Sequence, residues 1–510
     1  MLSAVKNRRP PVTPARQPAE HSTLKLLLVV IGLVIVSRVG YYIAGVRFDA
    51  SSLPWFWQYV DPALLGANLA QSLWHLHSQP PAYNAFLGVV LSLFAGHETV
   101  IFTVCYLLIG LVFTATLFLL LKELGVPDTP NVLLTAVYVA SPACALYENW
   151  LFYTYPLTVL LLLAALFWHR FARKGRFLDA LSLFVCAALL ALTWSLFHLT
   201  WLLGLVLALV LFRRRDWRKV LAAAALPVLV VVIWYGKNLV QVGEFTGSTW
   251  FGINFSKMTN SMLTAPERRT MYDDGTISAV SLVPPFSDPD KYYGAVPKPG
   301  ATGVPVLDQE LKPSGIPNFN NTLFVSVSRQ YGHDAFRILA ASPAAYLRGL
   351  AESYLLYFLP SSAYLFLDGN AAHIKALDRF TSIVFNGRFR YHHDGGLRST
   401  QPARYYVQSV LNCGWFVIIA YVVVLVLGLV LLLRRWSSLP AASSLILRPS
   451  SVFFLWFNVV WMTFVANALE VGENNRFRFV TDPLVFVFIA AMATDWLRRR
   501  GRLSRSMTPR

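Results

Sequence analysis

Apolar runs dominate the chain, near residues 25–45, 99–121, 130–147, 154–169, 178–195, 197–212, 219–236, 409–433, 451–468 and 480–496. Uncharged stretches of about 18 residues or more can cross the ~30 Å hydrocarbon core of a bilayer as helices. The pattern therefore predicts an all-α polytopic membrane protein with about ten spans. Basic clusters stand at many of the run ends: the N-terminal tail, HRFARKGR at 169–176, RRRDWRK at 213–219, RRW at 434–436 and RRRGR at 498–502. Cytoplasmic loops are enriched in Lys and Arg. Placing all these clusters in the cytoplasm, with one crossing per run, gives an alternation without contradiction and leaves both termini inside. The segments 46–98, 148–153, 237–408 and 469–479 then lie on the external face. Two further apolar stretches, 81–96 and 347–366, are expected to lie at the external interface or to dip in and return, since crossings there would upset the alternation.

Composition agrees with this pattern. Of 510 residues, 56% are hydrophobic and only 14% are charged, where soluble globular chains are roughly a quarter charged. The formal charge of +18 follows from basic cytoplasmic ends and calls for no nucleic acid partner. Residues 1–24 are basic and Pro-rich and read as a disordered cytoplasmic tail, and residues 498–510 read as a basic cytoplasmic tail at the other end. No small-residue cleavage site follows the first run, which reads as an anchor. Cys105, Cys144, Cys186 and Cys413 lie in or beside apolar runs, with no CxxC or Cys/His cluster, and read as small apolar residues. The segment 237–408 is rich in Gly, Pro, Asp and Asn and predicts an irregular external loop region rather than a separate enzymatic domain. It carries two sequons, at Asn254 and Asn320.

The chain holds no Gly-rich phosphate loop, HExxH, GxSxG or kinase-type motif. Polar residues that could do chemistry gather instead at three places on the external face. The first loop has Asp49 and Asp61 in RFDASSLPWFWQYVDP, then His77 and Gln79 in HSQPPAYN. An acid held there beside the membrane could take a proton from an incoming hydroxyl or amine. Trp55, Trp57, Tyr59 and Trp74 could equally form an interfacial aromatic belt around solvated acids. The second place is Glu148 in ALYENWLFYTYP, at the end of one span, where a solvated carboxylate is the plain alternative. The third is ALEVGENNRFRFVTDP, which sets Glu470, Glu473, Arg476 and Arg478 in one short turn. Its arginines could form an ion-pair network or offer fork-shaped donors to a phosphate. Intramembrane ion relays are not indicated, because the spans are nearly free of charge.

This arrangement resembles the GT-C glycosyltransferases, polytopic enzymes that use polyprenyl-phosphate sugars. Within them it is most similar to the group of protein O-mannosyltransferases and the bacterial aminoarabinose transferase of lipid A. The likeness rests on one span followed by an external acid, on a PPxY motif about thirty residues later, on the acid before the fourth span, and on the GENNRFRF…DP turn. It covers residues 25–240 and roughly the last fifty. The first loop shows FDAS where many members have an adjacent acidic pair, and Gln79 stands where a basic residue often precedes the double proline.

The resemblance implies a GT-C-like bundle with external juxtamembrane helices. Asp49 would be the catalytic acid, with Asp61 and Glu148 as further catalytic candidates. His77, Gln79, Tyr83 of the PPxY motif and Glu473 would border the substrate, and Arg476 and Arg478 would neutralise the departing phosphate. The implied partners are a polyprenyl-phosphate sugar, membrane lipid and an acceptor left open. No cofactor is required by the sequence, although the family's acid leaves room for a divalent cation. A bacterial inner membrane also follows from the resemblance alone. A flippase or a polysaccharide ligase would be the competing class, but the former would place polar residues at mid-membrane in repeated halves.

Overall fold

The computed structural model describes residues 20–389, 402–436 and 448–507. Seven helices are long and apolar enough to cross a membrane: Ser22–Ile43, Glu98–Glu123, Thr154–Lys174, Arg214–Val242, Trp415–Arg434, Pro449–Leu469 and Asn474–Arg500. The pair Asp128–Val139 and Pro142–Glu148, bent by 56°, makes an eighth if it is one span. Among the described residues the protein is thus an all-helical, multi-pass membrane protein with seven or eight candidate spans, and the expected count of ten is not confirmed.

The other two runs form the helices Phe177–Ala191 and Leu199–Phe212, of 15 and 14 residues. At 1.5 Å per residue each rises about 22 Å, short of the ~30 Å core. They end early because residues 192–198 turn back inside the bundle. Trp194 in that turn packs on Phe477 of the last span at 5.0 Å. The bent pair has a similar cause: Pro142 takes the first position of a new helix, capped by Ser141.

Thr154–Lys174 lies at the centre of the bundle, with 72% of its apolar window buried, whereas Ser22–Ile43 and Trp415–Arg434 bury only 17%. Those two present their apolar surface outward, as lipid-facing helices do. The span Pro449–Leu469 contains one π-helical turn, Trp461–Ala466, just before the Glu470–Glu473 turn. The first helix begins at Glu20, so residues 20–24 are helical rather than disordered, and the last helix continues into the basic tail as far as Met507. Residues 1–19 and 508–510 of the expected tails lie outside the described residues. All four cysteines are free thiols, three of them buried.

The expectation of an irregular 237–408 region needs correction. It contains the helices Phe251–Met258, Ala265–Asp273, Leu323–Ala341, Pro343–Tyr357 and Lys375–Val384, and regular structure is sparse only between residues 274 and 322. Its helices pack closely because glycines allow it. A Cβ on Gly252 would stand 1.8 Å from the Ser328 carbonyl oxygen, and one on Gly349 would stand 2.4 Å from that of Met258. Of these only Pro343–Tyr357 is marked by an apolar stretch, at 347–366; the others are interrupted by polar residues and carry no long apolar run. The apolar stretches 81–96 and 347–366 form the helices Pro81–Leu93 and Pro343–Tyr357, and neither meets the requirements of a span.

The region also clasps the first loop. Lys312 Nζ donates to the Phe56 carbonyl at 2.6 Å, and Ser314 Oγ to that of Pro54 at 2.8 Å. The Asn320 side chain accepts from the backbone N–H groups of His77 and Ser78 at 2.8 and 3.0 Å. Asn320 is 3% exposed, so its sequon is buried in the fold.

Candidate functional site

The segment Glu148–Thr154 positions the site. Asp49 donates its N–H to the Asn149 carbonyl at 2.8 Å, and its own carbonyl accepts from Leu151 N–H at 2.9 Å, forming a short parallel bridge. The Tyr59 hydroxyl donates to the Leu151 carbonyl at 2.7 Å, and that of Tyr106 to the Phe152 carbonyl at 2.6 Å. With the Tyr106 proton committed there, Tyr83 must donate to the Tyr106 oxygen, 2.8 Å away. At the far end, Thr154 Oγ1 accepts from Arg476 Nη1 at 3.1 Å. Asp49 and Arg476, more than four hundred positions apart, therefore hang from one short connection between two helices.

Both line a cavity of about 560 Å³, together with Gln79, Lys257, Glu470 and Glu473, a size that suits a small-molecule site. Its walls carry Trp55, Phe56, Trp57, Trp150, Trp194, Trp250, Tyr364 and Phe366. Asp49 folds one carboxylate oxygen onto Ser51 N–H at 2.8 Å, which fixes its orientation. Arg476 is 2% exposed and sits among the rings of Phe152 and Phe477, 4.8 and 4.9 Å from its guanidinium carbon. One arm pairs with Glu473, whose carboxylate also accepts from the Tyr364 hydroxyl. The Arg476 Nε hydrogen has no hydrogen-bond acceptor.

The two glutamates of the turn are electrostatically unlike. Burial pushes the Glu470 carboxyl above its ordinary range, and Lys257 Nζ, 3.6 Å away, only partly opposes this. Burial acts the same way on Glu473, but the Arg476 charge and the Tyr364 bond overcome it and hold that carboxyl below its ordinary range. Asp49, Glu470 and Glu473 face Lys257 and Arg476 across the cavity. Among the described residues no group of three or more His, Cys, Asp or Glu could hold a metal ion.

Other predicted residues lie elsewhere. Asp61 caps the helix Pro62–Ala67 by accepting from Ala63 N–H at 2.9 Å. Tyr83 is buried in the tyrosine chain just described. His77 is fully buried between Thr249 Oγ1 at 3.0 Å and the Asn320 carbonyl at 2.9 Å. A carbonyl can only accept, so Nε2 carries the proton and Nδ1 accepts from Thr249. Burial, reinforced by the Lys237 charge, pushes this imidazole down to about 3, so it is neutral.

Glu148 is 3% exposed and clamped by Arg38 in a two-pronged pair at 2.8 and 2.6 Å, with the Tyr155 hydroxyl at 2.7 Å. It is a buried carboxylate, not a solvated one, and is not part of the cavity lining. Arg478 also points away from the cavity. It donates to the Tyr357 and Leu359 carbonyls at 2.7 Å, to Ser361 Oγ at 2.8 Å, and pairs with Asp482 at 3.1 Å. The helix starts at Asn474, and residues two apart on a helix diverge by about 200°. Arg476 and Arg478 therefore serve different sides.

Lys257 and Asn254 enter the cavity from the helix Phe251–Met258, and Tyr364 from the loop after Pro343–Tyr357. No sequence motif marks Lys257 or Tyr364, and Asn254 stands out only as a sequon. No protein-family model matches the chain, and neither does any curated protein or solved structure.

Proposed function

We propose that the protein is an integral membrane glycosyltransferase of the GT-C type. It moves a sugar from a polyprenyl-phosphate donor to an acceptor on the external face of the membrane. The observation that carries this reading is the convergence of Asp49 and Arg476 on one aromatic-walled cavity through the strip Glu148–Thr154. A buried carboxylate-lined pocket beside apolar spans suits a ligand with a sugar, a phosphate and a lipid tail.

In the proposed reaction the acceptor hydroxyl attacks the anomeric carbon and passes its proton to Asp49. The bond from that carbon to the phosphate oxygen breaks with its electron pair, so the phosphate gains negative charge. Arg476, poorly solvated and already oriented, stabilises the added charge. Glu473 holds Arg476 in place, and Lys257 pairs with Glu470. The lipid-linked donor makes a nucleotide-binding fold unnecessary. Counting the bent pair Asp128–Val139 and Pro142–Glu148 as an eighth span, both termini are proposed to lie in the cytoplasm, a reading supported by the basic helix ends, and a bacterial inner membrane is the proposed setting.

The intramembrane pair Arg38–Glu148 favours a second reading, a transporter of lipid-linked saccharides, since charges within spans often mark a pathway. Direct binding separates phosphate recognition from the rest. Undecaprenyl phosphate should bind the purified wild type and bind the double variant Glu473→Gln/Arg476→Gln at least tenfold more weakly. Equal binding by the two would remove Arg476 from the account.

A further inference from the structure

The mouth of the cavity carries two aromatic platforms that the chemistry above does not use. On one side the ring of Trp57 stacks on Phe286, with centroids 4.9 Å apart and planes 19° apart. On the other, Phe366 lies parallel to Trp150, at 6.2 Å and 6°. Trp57 remains 41% exposed and Phe366 47%, although both line the cavity. The side chains of Gln58 and Asn254 border the same space.

Phe286 is held there against its own backbone preference. Its φ is +61°, and it is the only non-glycine with positive φ among the described residues. For a bulky side chain this conformation is strained. Besides Trp57, Trp250 and Phe319 pack on the ring at 5.1 and 5.2 Å. They keep it in the plane of the platform.

Flat aromatic faces beside amide and carboxylate groups match one chemistry closely. The C–H face of a pyranose ring carries partial positive charge and settles on the negative face of an aromatic ring. Its hydroxyls at the same time need polar partners at the ring's edge. An acyl chain would cover the side chains of Gln58 and Asn254 without offering them a partner, and a serine or threonine hydroxyl would need no ring-sized platform.

We propose that the cavity mouth is a saccharide-binding subsite built on Trp57 and Phe286, so that the acceptor is a glycan or glycolipid. The proposal rests on the glycosyltransferase reading for the word acceptor, but the subsite itself does not. Binding is therefore measured without donor.

The full-length protein in lipid nanodiscs would be examined by saturation-transfer NMR against methyl glycosides of mannose, glucose and galactose, and against maltose. The expected result is transfer to the ring C–H protons of at least one sugar, with binding at least tenfold weaker in Trp57→Ala and Phe286→Gly. Phe286→Gly suits the existing φ, so it removes the ring while leaving the backbone conformation unstrained. Sugar binding that depends on both rings without transfer from any polyprenyl donor would support the subsite and count against the enzyme. No binding of any of these sugars by the wild type, or binding unchanged in both variants, would overturn the subsite. Transfer activity that survives intact in Trp57→Ala would likewise overturn it while leaving the enzyme standing.

Discussion

The pair Arg38–Glu148 offers the sharpest quantitative test of the fold. The guanidinium meets the carboxylate at 2.8 and 2.6 Å, with exposures of 12% and 3%. A Cβ added at Gly110 would lie 2.5 Å from Glu148 Oε2, so the carboxylate is packed against that helix with no room for water. In Glu148→Gln the Arg38 charge would lose its counter-charge and one of its two oxygen acceptors, keeping the amide oxygen, the Val139 carbonyl and Ser37 Oγ. Removing one partner of a buried pair typically costs about 3–5 kcal/mol, because the other charge is left uncompensated. In a thermal unfolding assay in detergent the fall should be on the order of 5 °C. Arg38→Met/Glu148→Gln removes both charges and keeps an acceptor for the Tyr155 hydroxyl, so it should recover most of that loss. If Glu148 only positions the strip that carries Asp49, sugar transfer should return with stability. A single variant as stable as wild type, or a double variant no better than either single, would refute the reasoning. A stable but inactive double variant would restore Glu148 to the chemistry.

Three further outcomes follow from local geometry. The neutral His77 has its folded value near 3 against an ordinary 6.5, so stability is complete above pH 6.5 and declines as the pH falls towards 3. At pH 5 the loss is about 2 kcal/mol; unfolding midpoints measured against pH should show it in the wild type, and it should vanish in His77→Gln. Gly252→Ala must push apart the helices Phe251–Met258 and Leu323–Ala341, at about 1–3 kcal/mol or more, and should make the external region protease-sensitive, whereas Gly294→Ala, with open space around it, should not. Arg478→Lys should lower the melting temperature, because its four acceptors lie in a fork that an ammonium cannot match, yet leave undecaprenyl phosphate binding within about threefold of wild type.

The membrane class was plain in the sequence because a span needs only length and apolarity, both local properties. The span count was harder. Runs 178–195 and 197–212 look like spans by composition, and only the inward turn at Trp194 reveals why their helices stop short. Convergence of the first loop, the Glu148 segment and the Glu470–Arg478 turn was legible as three polar places sharing one face. The division of labour among them was not.

Glu148 reads as solvated until Arg38, 110 residues earlier, is seen beside it. Arg476 and Arg478 read as one cluster until the helix starting at Asn474 turns them apart. Lys257 had no signal at all, since its role depends on how a polar region folds over the first loop. Such pairings are set by tertiary packing, which the one-dimensional pattern does not encode.

The central claim is best tested by sugar transfer itself. Membranes carrying wild type or Asp49→Asn would be incubated with a set of radiolabelled polyprenyl-phosphate sugars, and label would be followed into acceptors. Label reaching an acceptor with wild type, and falling at least a hundredfold with Asp49→Asn at equal protein level, is the result expected. Equal transfer by the two would contradict the assignment of Asp49. No transfer from any donor, with labelled lipid nevertheless crossing the bilayer, would contradict the enzyme and leave the transporter.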